Sequence, residues 1–329
     1  MADASHETGR PSKRVTHADV ARASGVSRAT VSYVLNDVPG KQISERTREL
    51  VLSKARELGH LPFAPARSLR LGRSDVVLAL VGDFGLGYVS NHILADLDTA
   101  LAARGYLVIV HRFDASLRSI PKLWGAVTPA LVVSMGGMLV PDSDQQVIEG
   151  TGTKFLRLHG DVDHRSAGSL QVSYLVEKGH RLIGYAYPSA ANVQLVARER
   201  FEGAAHRAAA LGIDELGRRP IDVEDPSTVT AAVEGWLQAG TTAVCAHNDE
   251  IAIMIVEALH DRGVDVGAGG VAVIGNDDIP AGRMNLTTIR IDAAAWSRDV
   301  VDSVTALLDG TEQEVSPRDY LQLVVRSSA

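Results

Sequence analysis

The sequence predicts an α/β protein: a small N-terminal helix-turn-helix head followed by a larger, doubly wound body with parallel sheets. Three observations carry this. Residues 15–36 pack two short apolar stripes around Gly25. From Asp75 onward, apolar runs of four to six residues alternate with helical patterns, as in sheets whose strands are buried on both faces. The charge is also divided. Residues 1–74 hold 13 Lys+Arg against 7 Asp+Glu, a balance of +6, while the rest of the 329-residue chain carries −13. A basic head on an acidic body suits a polyanionic partner for the head.

The elements follow in order. Met1 to Arg14 is polar and reads as a disordered tail. Thr16 caps a first helix, with Asp19 in its first turn favoured by the helix dipole. Val20, Ala21 and Ser24 share one face, and Gly25 supplies a turn that tolerates positive φ. Val26 turns inward, Ser27 caps a second helix, and Val31, Val34 and Leu35 form its apolar stripe. Small and apolar residues at these spacings let two short helices cross closely, the packing of a helix-turn-helix. Ser44 caps a third helix from about Glu45 to Leu58, with Leu50, Val51, Ala55 and Leu58 as its stripe and Gly59 at its end. Pro62 and Pro65 then break the helix. Leu69 between Arg67 and Arg70 suits a minor-groove wedge flanked by phosphate-holding cations better than a plain linker.

In the body, strands are expected at Val76–Val81, Tyr106–Val110, Ala130–Val133, Leu182–Ala186, Ala243–Ala246 and Val271–Ile274. Helices are expected at Asn91–Arg104, Gly168–Lys178, Ala197–Leu211, Glu250–Arg262 and Ala293–Leu308. Ligands in such sheets bind beyond the carboxyl ends of the strands. The first such loop, Val81 to Tyr88, is glycine-rich but lacks GxGxxG spacing, so a dinucleotide site is not indicated. Two later loops, Ala246-His-Asn-Asp249 and Gly275-Asn-Asp-Asp278, offer amides and carboxylates suited to binding hydroxyls. Asp249 and Asp278 serve equally well as caps, whereas Asn248 and Asp277 lie nearer the strand ends and are the better pocket candidates. Trp236 and Trp296 fall in helical patterns and read as core, and His180 as a turn residue.

Several classes are excluded. Thirty Gly and twelve Pro are ordinary, against a collagen-like chain. The single Cys245 excludes a disulfide framework and a multi-cysteine zinc site. Without an apolar run of membrane-spanning length or a secretory segment, the chain is expected to be cytoplasmic. No nucleophile–base set stands at catalytic spacing and the acidic residues do not cluster as metal ligands, so neither an enzyme, a metal nor a cofactor is expected.

The stretches DVARASGVSRATVSYVLN, ISERTRELVLSKARELGHLPF and ARSLRLGRS resemble the DNA-binding domain of the LacI/GalR family of transcriptional regulators. Further along, Leu175-Val-Glu-Lys-Gly-His-Arg-Leu-Ile-Gly, Arg200-Phe-Glu-Gly203, Asn248-Asp249, Gly275-Asn-Asp-Asp278 and Leu286-Thr-Thr-Ile289 resemble that family's effector-domain signatures in the same order. The resemblance implies a domain plan. Residues 15–61 form the helix-turn-helix domain, 62–74 a hinge, and 75–329 a periplasmic-binding-protein-like pair of lobes that binds effector and dimerises. The N-lobe takes about 75–162 and 290–319, the C-lobe about 163–289 and 320–329.

It also implies roles. Arg28, Ala29 and Tyr33 face bases; Thr16, Ser27, Thr30, Ser32 and Asn36 hold phosphates; Leu69 is the wedge. Arg200, Asn248 and Asp277 contact the effector, joined by Asp83 and Tyr88 of the glycine-rich loop, with Phe84, Tyr88, Phe113 and Trp124 as candidate stacking aromatics. Tyr33 stands where many members have Arg, and Asn276 where many have an aromatic. The implied function is a homodimeric, nucleoid-associated repressor of operator DNA whose affinity is controlled by a small effector, a sugar or sugar derivative. A sugar- or nucleotide-processing α/β enzyme with an accessory basic domain is the alternative, and a transport-binding protein a third reading. Sensitivity to added sugar separates them: turnover marks an enzyme, a shift in DNA affinity a regulator.

Overall fold

The computed structural model describes residues 15–35, 40–60, 74–81, 87–112, 123, 127–135, 140–158, 162–311 and 319–329. The tail, Asn36, most of the expected hinge with Leu69, and Asp83, Phe84, Phe113 and Trp124 lie outside the described residues. The chain divides into two compact units, residues 1–71 and 72–329.

The first unit holds α1 (His17–Ser24), α2 (Arg28–Leu35) and α3 (Glu45–Glu57). The carboxylate of Asp19 accepts from both the amide and the hydroxyl of Thr16, closing the start of α1. Gly25 ends α1 with φ of 67°, a left-handed turn that costs a residue without Cβ little. Ser27 accepts from the Thr30 amide and opens α2; Ser44 does the same for α3 through the Thr47 amide. The core is small: Val20, Ala21, Val31, Val34, Val51 and Ala55, with Val26 and Leu35 packed against it. The expected α3 stripe needs correction, because Leu50 and Leu58 are 42% and 37% exposed. Val51 and Ala55 share the face that meets α1 and α2. Leu50 is turned about 100° from Val51, and Leu58 lies beyond the last helical turn.

The second unit contains two sheets. The first has the order β2-β1-β3-β4, all parallel, from β1 (Val76–Val81), β2 (Leu107–Arg112), β3 (Leu131–Ser134) and β4 (Lys154–Arg157). Helix α4 (Tyr88–Ala102) packs on it, and α5 (Asp142–Gly150) precedes β4. The second sheet has the order β10-β9-β8-β7-β5-β6. Its strands are β5 (Ile183–Pro188), β6 (Gly217–Ile221), β7 (Ala243–Ala246), β8 (Ala272–Asn276), β9 (Thr287–Ile291) and β10 (Leu321–Val324), with only β10 antiparallel to its neighbour. Helices α6 (His164–Glu177) and α7 (Gln194–Ala210) cover one face of this sheet, and α8 (Pro226–Gln238) and α9 (Asp249–His260) the other. Helix α10 (Ala293–Asp309) follows β9 but returns to the first sheet, where Val300, Val304 and Leu308 join Ile93, Leu97 and Leu101 of α4. The chain therefore crosses between lobes after β4, after β9 and again before β10.

Trp236 is core, as expected from its helical pattern, and Trp296 packs against the first sheet. Strands β4, β6, β9 and β10 and helix α5 were not expected from the sequence, and of α8 only the helical pattern around Trp236 was. Edge strand β6 reads Gly-Arg-Arg-Pro-Ile, with no apolar alternation to mark it. No helix among the described residues is long and apolar enough to cross a membrane.

Candidate functional site

In the head, α2 separates its faces. Val31 and Val34 are buried, whereas Ser27, Arg28 and Ala29 are exposed and Thr30, Ser32 and Tyr33 half-buried. Positions 28, 29, 32 and 33 lie within about a turn and a half on the side away from the core, as an element presented to a groove requires. The Lys41 ammonium stands 5.2 Å from the centre of the Tyr33 ring, adding positive charge beside that face. Thr16 is exposed at the start of α1.

In the body, the predicted polar residues converge where β7 and β8 end. Close approach of two helices sets the position. A Cβ on Gly168 of α6 would collide with the Arg200 carbonyl oxygen, and one on Gly203 of α7 with the Arg165 carbonyl. With glycine at both places the helices touch backbone to backbone, and Arg200 is carried to the end of the sheet. There it is 3% exposed. Its Nη1 donates to the His247 carbonyl at 2.7 Å and its Nη2 to Asp277 Oδ1 at 2.8 Å. This is not the helix-surface pairing that a neighbouring glutamate would give; Glu202 instead pairs with Arg165.

Asp277 and Asp278 both have positive φ, 99° and 52°. Such backbone is costly for residues other than glycine and is kept only where the surroundings fix it. Here the Asp277 amide donates to the Ile289 carbonyl at 2.8 Å, while Arg200 takes its side chain. Asp278 is almost wholly buried and accepts from Arg326 at 2.6 Å and Arg290 at 2.8 Å.

The expected capping roles change hands. Asn248 is the cap of α9, its Oδ1 accepting from the Ile251 amide at 3.0 Å. The cap uses only its carbonyl oxygen and leaves the side-chain NH2 uncommitted to the helix. Asp249 caps nothing: it is fully buried and accepts from the Thr288 hydroxyl at 2.6 Å and the Ile279 amide at 2.8 Å. Asp278 is an ion-pair hub. Burial pushes the Asp249 carboxyl up to about 7, opposed by the hydrogen bond from Thr288. The neighbouring His247 imidazole is held well below its usual range, first by burial and then by the Arg200 charge.

Several buried polar atoms find no protein partner: Arg200 Nε, His247 Nδ1 and both ends of the Asn276 side-chain amide. Buried groups of this kind are ordinarily satisfied, so each is capacity for water or a ligand. His247 and Asn276 were not among the predicted contacts. Their nearness to Asn248 and Asp277 in sequence was visible; their burial beside Arg200, far away in sequence, was not. Tyr88 opens α4, on the first sheet, and is 37% exposed. Among the described residues, no group of His, Cys, Asp and Glu could hold a metal ion. Cys245 is buried and its thiol is held protonated by desolvation.

Residues 16–62 match the family described as bacterial regulatory proteins, lacI family, and residues 172–329 match the periplasmic binding protein-like domain. The HTH-type transcriptional regulator GalR of Escherichia coli (strain K12) is 29% identical over 314 residues, 88% of each chain. The lactose operon repressor of the same organism is 27% identical over 322 residues, 91% of this chain and 86% of the relative. Among solved structures, the lac repressor bound to ONPG in the repressed state superposes with a TM-score of 0.78 at 25% identity, covering 96% of this chain and 100% of that one. A LacI-family regulator from Silicibacter pomeroyi shares the fold, with a TM-score of 0.81 at 20% identity over 95% of this chain and 99% of that one.

Proposed function

The chain belongs to the LacI/GalR family of DNA-binding transcriptional regulators, and on that premise we propose that it is a homodimeric repressor whose operator affinity is set by a sugar or sugar derivative bound between the lobes. The observation that carries the effector half is the Arg200 guanidinium. It is buried, paired with Asp277, and retains an Nε–H with no protein acceptor. A cation kept out of water with a donor to spare is poised for a polyhydroxyl ligand, and Asn248, Asp277, Tyr88 and Asp83 supply further polar contacts. The lac repressor dimer bound to operator and a regulator complexed with cellobiose, both of this fold, support dimer, DNA and carbohydrate as partners.

For the head, Arg28, Ala29 and Tyr33 read base edges in the major groove, while Thr16, Ser27, Thr30, Ser32 and Asn36 hold phosphates. Leu69 enters the minor groove as a wedge. The family assignment favours a regulator over the α/β enzyme, and no catalytic step is part of the proposed activity. The proposed location is the cytoplasm, on the nucleoid.

Selection from a random duplex pool, repeated in the presence of lactose, cellobiose, galactose and glucose, tests the reading. Enrichment of one palindromic sequence whose affinity a sugar alters is the expected result. Equal affinity for all duplexes, or turnover of a sugar, would overturn it.

A further inference from the structure

We propose that Arg283 and Tyr88 form a clasp between the two lobes, and that its strength sets the balance between the lobe spacings open to the effector domain. The contact joins parts of the molecule built on different sheets. Tyr88 opens α4, whose Ile93, Leu97 and Leu101 are buried on the first sheet. Arg283 follows the 3-10 turn Pro280–Gly282, just past β8 of the second sheet. Arg283 Nη2 donates to the Tyr88 hydroxyl at 3.1 Å, and its guanidinium carbon lies 5.6 Å from the Tyr88 ring centre. One side chain thus makes a hydrogen bond and a cation–π contact to the same partner.

The two ends of the clasp differ in firmness. At its root, Arg283 Nε donates to the Asp278 carbonyl at 3.3 Å and stands 3.5 Å from the Asp278 carboxylate. That carboxylate is held more closely by Arg290 and Arg326, so it is already neutralised without Arg283. The Arg283 head is therefore available to the other lobe. Its tip is about half exposed, where water competes and the contact can open and close.

The root is also connected. Asp278 is the neighbour of Asp277, both in left-handed backbone, and Asp277 is tied to Arg200. A ligand drawing on Arg200 and Asp277 displaces the turn from which Arg283 reaches across. This coupling rests on the effector reading of Arg200 and Asp277; the clasp itself does not.

The test measures lobe spacing in the full-length protein. Spin labels are placed at Gln146→Cys on α5 and Ala231→Cys on α8, both exposed positions, while the buried Cys245 thiol stays unlabelled. Labelled chains are diluted with unlabelled ones so that distances within one chain are read. Arg283→Met should raise the share of the longer spacing about threefold, the size expected of one half-exposed contact, and Tyr88→Phe, which loses the hydrogen bond but keeps the ring, should raise it by less. The double variant should exceed Arg283→Met by little, because both remove the same contact. Arg283→Lys, which keeps the charge but not the planar fork, should fall between Arg283→Met and the unsubstituted protein. Distances unchanged in every variant, or strictly additive effects of the two substitutions, would overturn the clasp. Adding lactose or cellobiose separates the two readings. Variants that open while neither sugar moves the unsubstituted protein uphold the clasp without the effector reading. A sugar that changes the spacing, with the variants unchanged, does the reverse.

Discussion

The head and the body handle their functional side chains in opposite ways. On α2 the residues proposed to touch DNA stand on the surface, outside a core of six small apolar side chains. At the ends of β7 and β8, Arg200, His247, Asp249, Asn276 and Asp278 are buried, so the residues around the proposed site are also part of the fold's interior. A surface built to meet a polyanion needs no desolvated charge, because phosphate contacts form in water and release counterions. A pocket that must grip a neutral, hydroxylated molecule does, since hydrogen bonds out of water discriminate strongly. It follows that function and stability should separate in the head and be entangled in the body.

The largest expected effect breaks the body. Gly203→Ala places a methyl against the Arg165 backbone, where neither helix can yield without moving. A loss of about 3 kcal/mol of unfolding free energy is expected, read as a lower urea midpoint. An unchanged midpoint would mean that α6 and α7 separate freely, and that their contact does not position Arg200.

Next comes Asp277→Ala. It leaves the Arg200 charge with one carbonyl acceptor, at an expected cost of about 2–3 kcal/mol, below that of a fully buried pair because Asp277 is partly exposed. Asp277→Asn, which keeps an acceptor, should recover part of this. If both variants unfold at the unsubstituted midpoint, Arg200 is satisfied elsewhere and the pair is not structural.

Two buried groups sharpen the comparison through pH. Asp249 titrates near 7 in the folded chain against 3.8 ordinarily, so its contribution is present below 3.8 and is lost as pH rises through 7. His247 is depressed, so its contribution is present above 6.5 and is lost as pH falls below that value. Below pH 6.5 the two slopes oppose each other in the natural chain, the Asp249 contribution rising and the His247 contribution falling as pH drops. In Asp249→Asn, stability should fall with decreasing pH by up to about 1.4 kcal/mol per unit; in His247→Gln it should rise. Parallel pH profiles for the natural chain and both variants would contradict the burial of these groups.

How much of this was legible in the sequence differs along the same line. The head was nearly all legible, because caps, turn glycine and stripe are local: Thr16, Gly25, Ser27 and Ser44 act within four residues of themselves. In the body, strands with continuous apolar runs were legible, whereas the polar edge strand β6 and the short edge strand β10 were not. Asp277 was picked out by its place near a strand end, and Arg200 by resemblance. The Asp278 hub was not, since Arg290 reaches it from the next strand of the sheet and Arg326 only after the chain has left the second sheet and returned. Asp249 looked like a cap because its position fits one; what excludes it is the Thr288 hydroxyl, 39 residues away. Local rules read caps, while topology decides which of two adjacent polar residues is buried.

The smallest expected effect on stability is in the head. Arg28→Ala on the exposed face of α2 should alter unfolding free energy by less than about 0.5 kcal/mol. It should nevertheless cost about 1–3 kcal/mol of binding to a selected duplex.

Comparing Arg28→Ala and Asp277→Ala side by side, in urea unfolding and in affinity for one selected duplex, tests the separation of the two regions most directly. The account predicts a crossed result: Arg28→Ala binds the duplex at least about tenfold more weakly at an unchanged midpoint, whereas Asp277→Ala lowers the midpoint and, at temperatures where it is folded, binds the duplex as the natural chain does. Loss of midpoint in Arg28→Ala, or loss of duplex affinity by folded Asp277→Ala without any sugar present, would contradict it.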